Sequence, residues 1–420
     1  MKFSFVGEVP SSKSLFNRAL ILKSFEDNLL INGFSQCDDV ALMKKALKDF
    51  SEGKTELYCG SAGTVLRFLA IRVSKKPGKY YLKADEQLLN RPQKELIKLL
   101  SQLSCQAVFD KKGLHITSLG WSLMGDSLSI SAKQSSQFVS AFLLNAWNLT
   151  APCYISLGDT LLSKTYLQMT IKLCQQQGMS INYSNEKPYE IYIPKQQQVN
   201  ATPVFLEPDM SSVFALAAIA SVSGHAQITK FPVKSLQGDS VFIPYLKEVG
   251  ANIHTKMEGE GVVTLQVKEA SVFKTPFCGH KMTKKLEKAF EVSLKNTPDL
   301  FPVLAALACL LTGESVFHDT AHIAYKESNR LKEMKTLLNL LGREVDLKQN
   351  TFVVKKWQSL KASPALKKNI IFDTKKDHRL VMAAYVLKTA GFSITCSNEE
   401  AVSKSFPEFL PLTKGPLSYF

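Results

Sequence analysis

The segment TELYCGSAGTVLRFLAIRV, residues 55–73, shows the local pattern from which the predicted fold is built. TELYC (55–59) is a short run typical of a β-strand, and VLRFLAIRV (65–73) is an apolar helical run. The small residues CGSAGT (59–64) between them predict a tight turn that leads into a helix N-terminus. The predicted building block is therefore a strand, a small polar turn and an apolar helix.

Six small polar clusters precede apolar helical runs in this way, and we interpret all six as helix N-termini. They are SSKS (11–14), CGSAGT (59–64), KQSSQ (133–137), PDMSS (208–212), NTPD (296–299) and KKDH (375–378). Their irregular intervals of ~50–90 residues favour a repeated strand–helix unit over a short solenoid. With further β-like runs such as CYISL (153–157) and VVTLQV (262–267), they predict an α/β or α+β protein rather than a bundle or sandwich.

The composition is that of a globular protein with an excess of positive charge. The 420 residues, 45% hydrophobic and 21% charged, favour two or three domains and exclude a disordered or fibrous chain. Net charge is +15, which indicates an anionic partner such as nucleic acid, an acidic membrane surface or a phosphorylated small molecule. The sequence has no secretory signal, no membrane-spanning run and no CxxC pair, so we expect a reduced, cytoplasmic protein.

Two clusters combine hydroxyl groups, backbone N–H groups and cations at predicted helix starts, which suits phosphate or carboxylate binding. Ser14 is the expected cap of the first helix, with Lys13 beside it and Arg18 one turn further along the same face. Gly63 lies in the CGSAGT loop, which lacks the GK[ST] ending of a P-loop. Considered alone, the first cluster is better explained as a capped surface helix with solvated charges, and the CGSAGT loop is a weak signal whose alternative is an ordinary tight turn.

A carboxylate at a helix start is either only a cap or, beside several cations, a group that is held ionised as a general base must be. Asp299 precedes an Ala/Leu-rich helix, and Glu327 lies three residues before Arg330. For Glu327 and Arg330, the alternative is a surface ion pair that contributes little to stability. His318 and His322 are four residues apart, but the preceding GESVF predicts a strand and no HExxH pattern is present, which disfavours a zinc site.

Taken together and in order, twelve segments resemble the 5-enolpyruvylshikimate-3-phosphate synthase family from residue 10 to residue 409. They are PSSKSLFNRAL (10–20), DDVALMKKAL (38–47), CGSAGTVLRFL (59–69), RPQKEL (91–96), SSQFVSAFLL (135–144), SKTYLQMT (163–170), PDMSSVFALAA (208–218), QGD (237–239), PDLFPVLAALA (298–308), KESNRL (326–331), DHRLVMA (377–383) and KSFPEF (404–409). A single segment is a weak signal, whereas twelve in the right order are specific.

The resemblance implies two similar hinged lobes, each of three βαβαββ units, with helix N-termini directed at an interlobe cleft that holds the active site. The chain crossings would fall near Pro10 and Pro208. Lobe one would then be 1–10 plus 209–420 and lobe two 11–208. The resemblance further implies a cytoplasmic monomer that uses no cofactor or metal and binds neither nucleic acid nor membrane.

The implied reaction transfers the enolpyruvyl group of phosphoenolpyruvate to the 5-hydroxyl of shikimate 3-phosphate. It releases phosphate, passes through a tetrahedral intermediate and belongs to the shikimate pathway of aromatic amino-acid biosynthesis. By the resemblance, Asp299 handles the hydroxyl proton, Glu327 is a candidate acid at the methylene carbon, and Lys13 serves both proton transfer and charge.

The other implied site residues divide by substrate. Those for phosphoenolpyruvate are Lys13, Gly63, Arg91, Gln137, Arg330, His378, Arg379 and Lys404. Those for shikimate 3-phosphate are Lys13, Ser14, Arg18, Ser135, Ser136, Gln137, Ser163, Tyr166, Asp299 and Lys326. The chain departs from the usual family pattern at Ser11, Ser61, Phe68, Thr165 and Asn329.

Three other functions remain open. One is a divergent enolpyruvyl transferase that acts on another phosphorylated or UDP-sugar acceptor; the family that uses UDP-N-acetylglucosamine carries a reactive Cys ahead of its RP, whereas DEQLLN precedes Arg91 here. A nucleic-acid-binding protein predicts affinity that falls steeply with salt. A catalytically silent paralogue predicts loss of the acidic residues, yet Asp299 and Glu327 are present.

Overall fold

A computed structural model of the chain describes residues 2–123, 127–273, 287–357 and 369–414. The chain divides into two compact units, which we call the terminal unit (Met1–Pro10 with Glu207–Phe420) and the inserted unit (Ser11–Leu206). Each unit has a hydrophobic core of its own. The chain therefore passes between the units twice, after residue 10 and after residue 206.

Strands and helices alternate along most of the described chain. In chain order the strands are β1 (Phe3–Gly7), β2 (Ile31–Asn32), β3 (Glu56–Tyr58), β4 (Gly78–Lys83), β5 (Gln106–Phe109), β6 (Gly113–Ser118), β7 (Ser127–Ser129), β8 (Cys153–Ser156), β9 (Asn182–Tyr183), β10 (Glu190–Ile193), β11 (Val204–Phe205), β12 (Gly224–Pro232), β13 (Asn252–Gly259), β14 (Val262–Lys268), β15 (Glu291–Ser293), β16 (Ser315–His318), β17 (Val345–Lys348), β18 (Thr351–Val354), β19 (Ile370–Asp373) and β20 (Ile394–Ser397). The α-helices are α1 (Lys13–Lys23), α2 (Asp38–Ser51), α3 (Gly63–Ser74), α4 (Glu86–Leu89), α5 (Lys94–Gln102), α6 (Gln137–Asn145), α7 (Lys164–Gln176), α8 (Met210–Val222), α9 (Phe242–Glu248), α10 (Phe301–Leu310), α11 (Arg330–Leu340), α12 (His378–Thr389) and α13 (Phe409–Lys414). Short 3-10 segments include Pro298–Leu300, Ala321–Tyr325 and Glu399–Lys404.

Four mixed sheets share one topology. Their strand orders are β3-β4-β6-β5 and β7-β8-β10-β9 in the inserted unit, and β1-β12-β14-β13 and β15-β16-β18-β17 in the terminal unit. In each sheet the first two strands are parallel and the other neighbours are antiparallel. A helix lies before the second strand of each parallel pair, as parallel strands require a crossover connection. These sheets contain the expected βαβαββ order.

The third sheet of each unit is smaller than expected. It consists of two parallel strands, β11 with β2 in the inserted unit and β19 with β20 in the terminal unit. In the terminal unit, a 3-10 segment and α13 follow β20 in place of two antiparallel strands. Within the described residues, the expectation of three complete βαβαββ copies per lobe is therefore met by two in each unit.

The core of the terminal unit is built around helices that are apolar on every face. Every residue of α8 and of α10 is buried, and both helices pack against α12. A helix that is hydrophobic all round must lie in the interior. In the inserted unit, α6 packs against α3 and α7 in the same central position. None of the helices in the described ranges has the length and apolar character needed to cross a membrane.

All six predicted helix starts are confirmed. Five α-helices begin within their clusters, and at NTPD the 3-10 segment Pro298–Leu300 leads directly into α10. The capping residue of α1 was predicted wrongly: Ser12 rather than Ser14 is the N-cap, and its Oγ accepts from the backbone N–H of Leu15 at 3.5 Å. The helix begins at Lys13, so Ser14 lies inside the first turn.

Candidate functional site

A buried arginine in the terminal unit gathers three carboxylates. The side chain of Arg330 is 1% exposed and donates from Nη1 to Asp299 at 2.8 Å and from Nη2 to Glu327 at 2.7 Å. Its Nε donates to Asp377 at 2.8 Å, and Nη2 approaches the other oxygen of that carboxylate at 3.2 Å. Lys326 Nζ lies 3.4 Å from Asp299. We call these five residues the Arg330 cluster.

Three helix starts position the Arg330 cluster. Asp299 lies in the 3-10 segment before α10, Arg330 is the first residue of α11, and Asp377 is the N-cap of α12, accepting from the backbone N–H of Arg379 at 3.0 Å. The side chain of Asn329 caps α11 by accepting from the backbone N–H of Lys332 at 3.1 Å. Helix N-termini favour negative charge, so these ends stabilise the carboxylates that Arg330 binds.

The electrostatics of the cluster keep Asp299 ionised. Burial by itself would raise its pKa, but Lys326, Arg330 and Arg379 together hold the pKa of Asp299 well below its ordinary value. Burial also opposes the charge of Arg330, whereas Asp377, Glu327 and Asp299 hold its pKa well above its ordinary value. Because the side chain of Asp299 is 23% exposed, this ionised carboxylate can still be reached from outside. It therefore has the charge state and the access that a general base needs.

The interpretation of Glu327 and Arg330 as a surface ion pair is wrong, since Arg330 is fully buried. Most of its N–H donors already serve carboxylates, so its visible role is to hold acidic side chains in place. Its assignment to phosphoenolpyruvate stays a prediction.

Two further predicted residues begin α12, and a third lies on a segment packed against that helix. Arg379 is buried; its Nη2 lies 3.7 Å from Asp209, the N-cap of α8, and its Nη1 lies 3.7 Å from Met382 Sδ. His378 is buried with Nδ1 3.9 Å from Asp377. Lys404 is buried at the end of the 3-10 segment Glu399–Lys404, which packs on α12.

In the inserted unit, three residues predicted for phosphoenolpyruvate lie together. A Cβ placed on Gly63 would be 3.0 Å from Arg91 Nη1 and 3.4 Å from Gln137 Oε1. The amide of Gln137 is oriented by Arg67, whose Nη1 donates to Oε1 at 2.7 Å and whose Nε donates to Gln93 at 3.2 Å. Only glycine at position 63 leaves room for these two side chains as they stand.

A second group in the inserted unit combines residues predicted for shikimate 3-phosphate. Arg18 donates from Nη1 to the carbonyl of Ser14 at 2.7 Å, from Nε to Thr170 Oγ1 at 2.7 Å and from Nη2 to the carbonyl of Tyr166 at 3.4 Å. Burial lowers the pKa of Arg18 to about 10, so it stays charged at neutral pH. Ser163 precedes α7 as its N-cap, with a left-handed φ of 56°.

The remaining predicted residues of the inserted unit also lie at helix starts. Lys13 Nζ bonds Asp39 at 2.9 Å, and both side chains are largely buried. Ser135 Oγ accepts from the backbone N–H of Gln137 at 3.2 Å, and Ser136 is the buried N-cap of α6.

Sequence reasoning did not assign several residues that hold the predicted ones in place. They are Asp39 on Lys13, Arg67 and Gln93 around Gln137, Thr170 on Arg18, and Asp377 on Arg330. The paired acids at 38–39 at a helix start, and Arg67 one turn after Gly63, were available signals. Thr170 and Gln93 carried none.

His322 was considered only as half of a metal pair. His318 lies at the end of β16, half exposed, with Nε2 3.6 Å from Glu291. His322 is buried, its Nε2 has no hydrogen-bond partner among the residues that the structure describes, and burial together with Lys326 lowers its pKa to about 4. Across the described ranges, His, Cys, Asp and Glu side chains form no group of three or more suited to a metal ion.

A sequence model described as EPSP synthase (3-phosphoshikimate 1-carboxyvinyltransferase) matches residues 5–412. The chain belongs to this family. Relatives named 3-phosphoshikimate 1-carboxyvinyltransferase from Shewanella baltica and Vibrio campbellii are each 28% identical to it. The alignments cover 96% and 97% of this chain and 94% and 96% of those proteins.

Solved structures show the same fold. The EPSP synthase from Acinetobacter baumannii matches with a TM-score of 0.70 at 18% identity, over 98% of this chain and 95% of that one. The enolpyruvyl transferase NikO from Streptomyces tendae matches with a TM-score of 0.68 at 13% identity, over 98% and 94% of the two chains. The mixed α/β fold class and membership of the EPSP synthase family, both predicted from the sequence, are confirmed.

Proposed function

We propose that this protein transfers the enolpyruvyl group of phosphoenolpyruvate to the 5-hydroxyl of shikimate 3-phosphate and releases phosphate, a step of the shikimate pathway. The family match over residues 5–412 supports the reaction class. The single structural observation that carries the proposal is the Arg330 cluster, in which Asp299 is held ionised beside a second acid, Glu327, on one buried guanidinium.

In the first half of the proposed reaction, the Asp299 carboxylate takes the proton of the acceptor hydroxyl. The hydroxyl oxygen then bonds to C2 of phosphoenolpyruvate, and the methylene carbon receives a proton from Glu327 or Lys13. The product is a tetrahedral intermediate that still carries the phosphate group. In the second half, the bond from C2 to the phosphate oxygen breaks and the methyl group returns one proton to the protein. The double bond re-forms, and the products are the enol ether and phosphate.

Residues of both units would bind the substrates. We propose lobes of 1–10 plus 209–420 and 11–208, with one active site drawing on each. Arg379, His378, Lys404 and Arg330 would act on phosphoenolpyruvate from the terminal unit, and Gly63, Arg91, Gln137 and Lys13 from the inserted unit. Lys326 and Asp299 would hold shikimate 3-phosphate together with Lys13, Ser14, Arg18, Ser135, Ser136, Gln137, Ser163 and Tyr166. N–H groups, hydroxyls and cations are what a multiply charged ligand requires.

A phosphate-release assay tests the proposal. Purified protein with phosphoenolpyruvate and shikimate 3-phosphate should release phosphate, and omission of the acceptor should abolish release. Release with UDP-N-acetylglucosamine but not with shikimate 3-phosphate would contradict the acceptor assignment. Release with another phosphorylated cyclic alcohol alone would favour a divergent paralogue.

We also propose that the protein acts as a cytoplasmic monomer without metal or cofactor. Turnover should survive EDTA treatment and dialysis, and sedimentation should give the mass of one chain. Loss of turnover that zinc or magnesium restores, or a dimeric mass, would contradict this part of the proposal.

A further inference from the structure

Two arginines of the inserted unit lie against the faces of fully buried phenylalanine rings. The Cζ atom of Arg18 is 5.3 Å from the centroid of Phe68, and the Cζ atom of Arg67 is 4.8 Å from the centroid of Phe138. Both rings are buried, Phe68 at 0% and Phe138 at 1% exposure. A guanidinium over an aromatic face is attracted by the negative potential of the ring, and more strongly when water is excluded.

The charge of Arg18 is compensated by neutral groups rather than by a carboxylate. Arg330 binds three carboxylates, whereas no carboxylate in the described parts of the chain forms an ion pair with Arg18. Its polar contacts within the described ranges are one hydroxyl and two backbone carbonyls. Burying a charge without an opposite charge is costly, so the ring of Phe68 is an important part of what keeps this guanidinium in place.

The position of Arg18 separates it from buried arginines with a purely structural role. Arg72 donates to the carbonyl of Ser24 at the carboxyl end of α1, and Arg343 donates to the carbonyl of Leu311 at the carboxyl end of α10. Helix carboxyl ends attract cations. Arg18 instead reaches back to the first turns of α1 and α7, where the helix dipoles disfavour a cation and favour an anion. A bound anion would remove this mismatch.

We propose that Phe68 is a positioning residue that sets the affinity for the phosphorylated acceptor by holding the Arg18 guanidinium oriented beneath it. This inference rests on the proposed function, in which Arg18 binds shikimate 3-phosphate. The ring does not touch the substrate. It acts by keeping Arg18 in one orientation before binding, so its loss weakens acceptor binding and leaves the chemical step intact.

The test compares steady-state constants of Phe68→Met and Phe68→Leu with the wild type. We expect the KM for shikimate 3-phosphate to rise by about 10- to 30-fold, while kcat and the KM for phosphoenolpyruvate change by less than about threefold. Phe68→Tyr retains the aromatic face and should restore most of the acceptor affinity. Calorimetric titration of shikimate 3-phosphate into each variant should show the same order.

Two matched controls lie on α6 of the same unit. Phe138→Leu removes the ring under Arg67, which orients Gln137, a predicted residue of both substrate sites, and should raise the KM for phosphoenolpyruvate as well as that for shikimate 3-phosphate. Phe142→Leu removes a buried ring that stacks on Trp121, with no arginine against it in the described structure, and should lower stability without changing either KM. Phe68→Met nearly preserves side-chain volume, so it serves if Phe68→Leu fails to fold.

The results separate this inference from the proposed function. If the wild type releases no phosphate with the substrate pair, the proposed function fails. If the wild type is active but Phe68→Met binds shikimate 3-phosphate normally, the inference about Phe68 is overturned. It is also overturned if Phe142→Leu raises the acceptor KM as much as Phe68→Met does, because the effect would then be general loss of packing.

Discussion

The substitution Arg330→Met removes the cation that three carboxylates of the terminal unit share. In the wild type the Arg330 guanidinium makes four N–H···O contacts of 2.7–3.2 Å. The Asp377 and Glu327 side chains that it contacts are only 0% and 14% exposed. Breaking a buried ion pair by removing one partner costs about 3–5 kcal/mol, because the remaining charge stays buried. With several acids left behind, we expect the upper part of that range.

A loss of this size is large against the stability of a protein domain. At roughly 2–4 °C per kcal/mol for a unit of this size, the melting temperature of the terminal unit should fall by roughly 8–20 °C. Turnover should be lost as well, since Asp299 and Glu327 lose the group that fixes their positions.

The way in which the stability loss of Arg330→Met changes with pH is more specific to a lost ion pair than the size of the loss. In the folded wild type the pKa of Asp299 is held well below its ordinary value of 3.8, so stability from this ionised group is present above pH 3.8 and is lost as pH falls further. In Arg330→Met one of the three cations that lower the pKa of Asp299 is absent, so this pKa is less depressed. The stability deficit of the variant should therefore be largest at neutral pH and shrink towards pH 4.

The assay is urea unfolding followed by circular dichroism at pH 7.5 and pH 4.5. Arg343→Met is the matched control, because Arg343 is equally buried but donates to backbone carbonyls and pairs with no carboxylate in the described structure. Its deficit should be smaller and nearly the same at both pH values. Equal deficits with equal pH dependence in the two variants would refute the reasoning.

Two further substitutions test the site from other directions. His322 has a pKa of about 4 in the folded protein against 6.5 ordinarily, so unfolding takes up a proton between these values and stability falls by up to about 3 kcal/mol as pH drops from 6.5 to 4. His322→Gln should lack this part of the decline in a series of urea titrations, and parallel curves for both proteins would contradict the prediction. Gly63→Ala places a methyl group 3.0 Å from Arg91 Nη1 and so displaces that guanidinium. The KM for phosphoenolpyruvate should rise by about tenfold, which corresponds to roughly 1.4 kcal/mol of binding free energy. Gly259→Ala, whose Cβ would meet no atom closer than 3.9 Å, should leave the KM unchanged, so an equal effect of both alanines would count against the proposed subsite.

Local sequence signals were sufficient to predict the helix starts of the site. Each of the six clusters combines capping residues with an adjacent apolar run, and both features act within a few residues of the chain. The same locality explains the error at Ser14, because neighbouring serines at 11, 12 and 14 are all competent caps and the backbone conformation decides among them. A resemblance that spans twelve segments extended these signals to the fold class and the family.

Local sequence signals could not predict contacts between segments that are far apart in the chain. Arg330 and Glu327 are visible as a pair three residues apart, but nothing in the sequence indicates that Asp299 and Asp377 join the same guanidinium. The burial of Arg330, which changes a weak surface pair into a strong buried cluster, likewise depends on tertiary packing. The stack of Phe68 on Arg18 joins two helices that are 50 positions apart, and no spacing rule predicts it.

The measurement that tests the central claim most directly is the turnover of Asp299→Asn beside its affinity for shikimate 3-phosphate. Asparagine keeps the size and shape of the side chain and one acceptor oxygen, but it carries no charge and cannot accept the hydroxyl proton. The account predicts that kcat falls by about 10²–10⁴-fold while the Kd for shikimate 3-phosphate stays within about threefold of the wild type. A variant that turns over at near wild-type rate would show that Asp299 is not the base.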